Sequence, residues 1–119
     1  MASTDVPRRR DIWLVALGAG RAGEPSKTRP AIVVSVNELS TSALGDLVVV
    51  VPLSSSLAPS ALRIEIALST GIEHPSRAIC RAVRAVVGSR LLCRIGSVDP
   101  AVMGQIEAVL ALILGLDRR

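Results

Sequence analysis

Few side chains in this sequence suit proton or phosphoryl chemistry. His74 is the single histidine and sits in the turn Gly71-Ile72-Glu73-His74-Pro75; it reads either as a solvent-facing loop residue or as a general base. The acidic residues, among them Asp5, Asp11, Glu24, Glu38, Asp46, Glu65, Glu73 and Glu107, are scattered, and no two take the spacing of a metal or glycosidase site. No Gly-Lys phosphate loop, His-Glu-x-x-His helix or Gly-x-Ser-x-Gly turn occurs. The expected metal and cofactor content is therefore none. Cys80 and Cys93 form neither a zinc pattern nor a disulfide framework, and both read as small core residues in a reducing compartment. Arginine and serine remain. Arg29 follows a glycine-rich loop and enters a strand, and Ser54–Ser56 follow a valine run. Such strand ends are where a small barrel presents a site, though Arg29 also reads as a solvated strand-start charge and Ser54 as a turn residue.

The chain has 119 residues and a net charge of +4, with Lys27 its one lysine. A basic balance favours polyanionic partners, and it is also what a genome that prefers arginine codons produces. Half of the residues are hydrophobic, nearly all aliphatic, with Trp13 the lone aromatic. The length suits one domain, read as residues 9–119 behind a polar tail at 1–8. Arg8–Arg10 followed by Ile12–Leu17 imitates a signal peptide, but the apolar run is about six residues where roughly 7–15 are usual. The C-terminal apolar run carries Gln105 and Glu107 and is too short to span a bilayer. The expectation is a soluble, cytoplasmic protein.

Positioning these residues falls to short strands. Ile12–Leu17 reads as the first, and Gly18–Thr28 as a loop of glycines, Pro25 and charges. Arg29–Val36 is the second strand, with Pro30 at its start, and Asn37–Gly45 a polar connector with room for a helical turn. Asp46–Leu53, with four consecutive valines, suits a strand buried on both faces. Leu62–Leu68 alternates like a half-exposed antiparallel strand, Thr70–Ser76 is a turn, Ala78–Val87 follows as one apolar-and-arginine segment, and Leu91–Val98 reads as the last strand. Asp99 as N-cap and Pro100 at the first helical position open a helix that runs to about Leu114 and stops at Gly115. The fold class is thus mostly β, five or six strands in a small barrel, with a C-terminal helix. Ala108–Leu116 is apolar on nearly every side, which a chain this small can bury only deep against its own barrel or in a homodimer; the dimer is the economical reading.

The sequence resembles the MazF/PemK toxins. Asp11-Ile12-Trp13-Leu14, then Glu24 placed before Arg29-Pro30, then an apolar strand ending in Ser35, look like the opening of that family. Val48–Ser55 resembles its valine strand closing in Pro-Leu-Ser-Ser, Ala78–Arg84 loosely resembles its third block, and Ile95–Leu116 its closing strand and helix. The likeness covers about residues 9–116 and is nearest in pattern to mycobacterial members. Two departures stand out: Arg81-Ala82-Val83-Arg84 replaces a block that often holds an acidic residue and Gln before the Arg, and Ser54 stands where many members have Thr.

The resemblance implies an SH3-like barrel of the PemK/CcdB type, homodimeric, acting as a metal-independent, sequence-specific endoribonuclease toxin. It implies single-stranded RNA as substrate, cut by 2′-OH attack, and a MazE-type antitoxin as partner. Arg29 and Ser54 match the family's catalytic pair, with Glu24 the candidate base and His74 a more distant one. Arg21, Lys27, Ser55 and Arg84 are the residues expected to hold RNA, and Arg84 reads equally as a structural salt-bridge residue. A CcdB-like gyrase inhibitor and a non-catalytic RNA-binding module of the same fold are the competing readings, and the Arg29 and Ser54 blocks favour the nuclease.

Overall fold

The valine run and its alternating neighbours set the architecture. The computed structural model describes residues 6–18, 27–41, 47–56, 62–67 and 71–116. Its strands are β1 (Asp11–Ala16), β2 (Thr28–Val33), β3 (Leu47–Ser54), β4 (Arg63–Ile66), β5 (Ser76–Ile79), β6 (Arg84–Val87) and β7 (Leu91–Ser97), with a short helix α1 (Asn37–Thr41) and the C-terminal α2 (Pro100–Leu114). Every pairing is antiparallel, in the order β4-β5-β3-β2-β1-β7, and β6 also pairs with β3. The barrel expected from sequence is present as a sheet left open: among the described residues no ladder joins β4 to β7.

Successive strand residues point to opposite faces, and here both faces are apolar. Ile12, Ile32, Val51 and Leu53 join one core with Met103 and Ile106 of α2, while Trp13, Val15, Ala31, Val33, Val48 and Val50 form a second. The valine strand is therefore buried on both sides, as its composition suggests. Trp13 lies in that second core and offers no exposed ring for stacking.

Segment 78–87 is not one element. A 3₁₀ turn at Cys80–Ala82 divides it into β5 and β6, giving seven strands rather than five or six. The break lies between the pairs Leu53↔Ala78 and Val50↔Arg84, so it faces Val51 and Pro52, where proline leaves β3 one ladder donor short.

The caps of α2 follow the sequence closely. Asp99 Oδ1 accepts from Val102 N at 2.9 Å. Gly115, with φ 70°, ends the helix; Leu116 N donates to the Ala111 carbonyl at 2.8 Å and Gly115 N to the Leu112 carbonyl at 3.3 Å, which satisfies two of the carbonyls in the last turn. One face of α2 lies on the first core; Leu112, Leu114 and Leu116 remain exposed.

Asp11, which in the sequence only interrupts the apolar run, is a buried anchor. Its carboxylate accepts from Arg8 N (2.9 Å), Trp13 Nε1 (3.2 Å) and Arg94 Nε (3.1 Å). Cys80 is buried as expected, but Cys93 is exposed. β7 ends the sheet path and among the described residues has only β1 beside it, and Leu92, Cys93 and Arg94 on it are exposed.

Candidate active site

Arg29 and Ser54 come together because β2 and β3 are antiparallel neighbours. The ladder pairs Ala31 with Pro52, Ile32 with Val51 and Val33 with Val50. Extending that register by two residues places Arg29 opposite Ser54. The side chain of Arg29 reaches across: NH1 donates to the Leu53 carbonyl at 3.4 Å. Ser54 is half-buried and its Oγ accepts from Ser56 N at 3.1 Å, which fixes the strand end as it turns. On the other edge of β3, Ser54 pairs with Arg77, and Arg77 is engaged by Glu65 at 3.5 Å.

Arg29 and Ser54 line a cleft of roughly 710 Å³, the size of a small-ligand or nucleotide site. Its walls include Leu14, Pro30, Leu53 and Ile95, and its polar groups are Arg29, Ser54–Ser56, Glu73, His74 and Ser76. Arg29 offers a planar fork of donors that stays protonated throughout the physiological range. Beside the Ser54 hydroxyl, that fork can bind the non-bridging oxygens of a phosphodiester and stabilise the extra negative charge that attack at phosphorus creates.

The other expected residues are distributed around this pair. Ser55 lines the same cleft and is exposed. Lys27 lies outside the lining, at the neck of the β1–β2 loop, where its N–H donates to Gly18 O (2.5 Å) and Leu17 N donates to its carbonyl (2.8 Å). It holds φ 61°, a left-handed conformation that L side chains rarely adopt. Arg84 is not in the cleft either; from β6 its NH1 donates to the Leu17 carbonyl at 3.4 Å, so it grips the same neck. Glu24 and Arg21 lie outside the described residues. Glu73 has no distinguishing signal in the sequence, and His74 reads there first as a solvent-facing loop residue; both line the cleft.

The model for the PemK-like, MazF-like toxins of type II toxin–antitoxin systems matches residues 8–114. The chain belongs to that family. It is 35% identical over 115 residues to endoribonuclease MazF9 of Mycobacterium tuberculosis (strain ATCC 25618 / H37Rv), an alignment covering 92% of this chain and 97% of that protein. MazF of Deinococcus radiodurans has the same fold, with a TM-score of 0.81 at 17% identity over 93% of this chain and 98% of that one. So does a mycobacterial endoribonuclease solved in complex with its cognate antitoxin, at a TM-score of 0.76 and 23% identity over 95% and 99% of the two chains. This MazF-like toxin thus shares the fold of those two proteins, and its Arg29 and Ser54 share one cleft.

Proposed function

We propose that this MazF-type toxin is a sequence-specific, metal-independent endoribonuclease that cuts single-stranded RNA in the Arg29–Ser54 cleft. The observation that carries the reading is the meeting of Arg29 and Ser54 across β2 and β3 in a cleft of nucleotide size. The substrate's own 2′-OH attacks the adjacent phosphorus, leaving a 2′,3′-cyclic phosphate and a 5′-OH. The Arg29 fork binds the phosphoryl oxygens and Ser54 donates a hydrogen bond to the same group. Preorganised donors of this kind are worth about 10²–10³ in rate each. Ser55 holds the neighbouring nucleotide, and Arg21, Lys27 and Arg84 hold the strand near the β1–β2 loop. Glu24, in that loop, is the candidate that the sequence offers for the base.

The working molecule is a homodimer joined in part through the apolar end of α2, with residues 9–119 as its single domain and 1–8 as a tail. It acts in the cytoplasm on messenger RNA, transfer RNA or ribosomal RNA and is silenced by a MazE-type antitoxin; the mycobacterial toxin solved with its antitoxin supports that partner. No described helix is long and apolar enough to cross a membrane.

The test is purified protein incubated with a long unstructured RNA in EDTA, followed by sequencing of the fragment ends. Discrete cuts at one short sequence, with cyclic phosphate and 5′-OH termini, are expected. Intact RNA under these conditions would overturn the reading and turn attention to gyrase inhibition or RNA binding without cleavage.

A further inference from the structure

Cleavage through the 2′-OH needs a group that accepts one proton and a group that donates another. Arg29 and Ser54 do neither near neutrality, because guanidinium holds its proton and a hydroxyl holds its own. Among the described residues, the charged or titratable groups lining the cleft are Arg29 from β2 and Glu73 and His74 from the β4–β5 connection; β1, β3 and β7 contribute Leu14, Leu53, Ser54–Ser56 and Ile95, none of which titrates in that range. The side chains of Glu73 and His74 have no hydrogen bond or ion pair with another described residue, so neither is occupied by a structural duty.

Both residues are exposed, yet the backbone beneath them is pinned. Gly71 has φ 104° and lies so close to β7 that an added Cβ would sit 2.6 Å from the Ile95 carbonyl oxygen. Ile72 is only 7% exposed and belongs to the first core. Ser76 Oγ donates to the His74 carbonyl at 3.0 Å, and Pro75 restricts His74 to extended backbone. These restraints hold the turn that carries Glu73 and His74 at the cleft edge.

We infer that Glu73 and His74 are the acid–base pair of the cleavage, an assignment that rests on the ribonuclease reading above. The Glu73 carboxylate takes the 2′ proton as the O2′–P bond forms. The P–O5′ bond breaks with its electron pair going to O5′, and that oxygen takes a proton from the His74 imidazolium. Solvent exchange returns each group to its starting state, so no co-reactant is consumed. The roles follow from charge near neutrality: a carboxylate is the available anion, and imidazolium is the one cleft acid that releases a proton there.

The test compares the full-length wild type with His74→Ala, His74→Gln, Glu73→Gln and Glu24→Gln in single-turnover cleavage of an oligonucleotide carrying the cut sequence, from about pH 3 to 9, a range that spans ordinary carboxylate and imidazole titration. A bell-shaped wild-type profile is expected. His74→Ala should lose about 10²–10⁴-fold in rate and the alkaline limb, recover part of its rate with added imidazole, and bind a 2′-deoxy, uncleavable oligonucleotide within about twofold of wild type. Glu73→Gln should lose the acid limb. Circular dichroism should match wild type throughout, since both side chains are exposed. Rates within about threefold of wild type in both His74 variants would overturn the acid, as would a slower rate with both limbs intact and no imidazole rescue. Loss of the acid limb in Glu24→Gln and not in Glu73→Gln would overturn the base. A wild type that leaves all RNA intact removes the ribonuclease reading itself, and the pair with it.

Discussion

Arg29 donates from NH1 to the carbonyl of Leu53, the residue just before Ser54. The cation is thereby held by the strand that carries the hydroxyl, and both members of the proposed phosphate-binding pair are fixed to the β2–β3 ladder. Such preorganisation gives oriented donors their catalytic worth. Arg29→Ala should lower the rate at a single cut site by about 10²–10³-fold or more, with the thermal transition near that of wild type. Arg29→Lys should recover little, because an ammonium cannot reproduce the planar fork. Equal cleavage by wild type and Arg29→Ala would remove the guanidinium from the mechanism.

Gly71 ties the cleft edge to the opposite end of the sheet. An alanine there meets the Ile95 carbonyl at 2.6 Å and must also adopt φ near 104°. Backbone cannot yield as a flexible side chain tip would, so the loop should move away from β7. Gly71→Ala is expected to cost on the order of 1–3 kcal/mol, read by thermal or urea unfolding. It should also slow RNA cleavage more than a surface change such as Glu65→Gln, because Glu73 and His74 travel with the loop. Stability and cleavage both unchanged would show that the turn tolerates the displacement.

The parts of this architecture that could be read from sequence are those written in local chemistry. Asp99, Pro100 and Gly115 mark the ends of α2 through groups within one turn of themselves, and the valine run announces burial on both faces by composition alone. Arg29 and Ser54 could be placed in order along the chain, but only the β2–β3 register shows that they meet. What escaped depends on contacts between distant residues. The pinning of Gly71 on Ile95, the break at Cys80–Ala82 opposite Pro52 and the hold of Arg84 on Leu17 have no local signature. Cys93 shows the reverse error: a residue type usually buried sits on a strand with only one neighbour, so nothing covers it.

Asp11 illustrates how a single buried carboxylate can lock the start of the sheet. Three donors from the N-terminal segment, β1 and β7 converge on it. Removing the acceptor leaves the indole N–H of Trp13 without a partner, at about 1–3 kcal/mol for a buried donor. Asp11→Ala should therefore lower stability by about 2 kcal/mol and Tm by on the order of 8 °C, measured by calorimetry. Asp11→Asn should cost less, since its amide oxygen can still accept. A Tm within about a degree of wild type in Asp11→Ala would show that water replaces the carboxylate.

Leu112 and Leu116 are 62% and 71% exposed at the end of α2, where a soluble surface would carry charge. The proposed dimer accounts for them, because a partner chain would cover the exposed last turn of α2 and the leucine just past its Gly115 cap. Light scattering at micromolar concentration should give twice the 12.4 kDa of the chain for the wild type. The double variant Leu112→Glu, Leu116→Glu should shift it toward the single-chain mass, because two buried like charges oppose association. A wild type that scatters as one chain would count against the dimer and leave these leucines to another partner.

Alkaline pH should act on the fold chiefly through Cys80. Burial pushes its thiol up from 9.0 to about 11, because the thiolate is poorly solvated in the core. The folded pKa is raised above the unfolded one, so this contribution to stability is whole below about pH 9. It is lost as pH rises through 11, where the unfolded chain gains by ionising first. The sequence makes the effect visible, since it has no tyrosine and a single lysine. Urea midpoints should hold steady to about pH 9 and then fall, and Cys80→Ala should flatten that fall while lowering the plateau through the cavity it leaves. In the same range, alkylation of native protein should modify exposed Cys93 and spare Cys80 until the chain unfolds. Two thiols modified at equal rates under native conditions would mean that the first core opens far more readily than its packing implies.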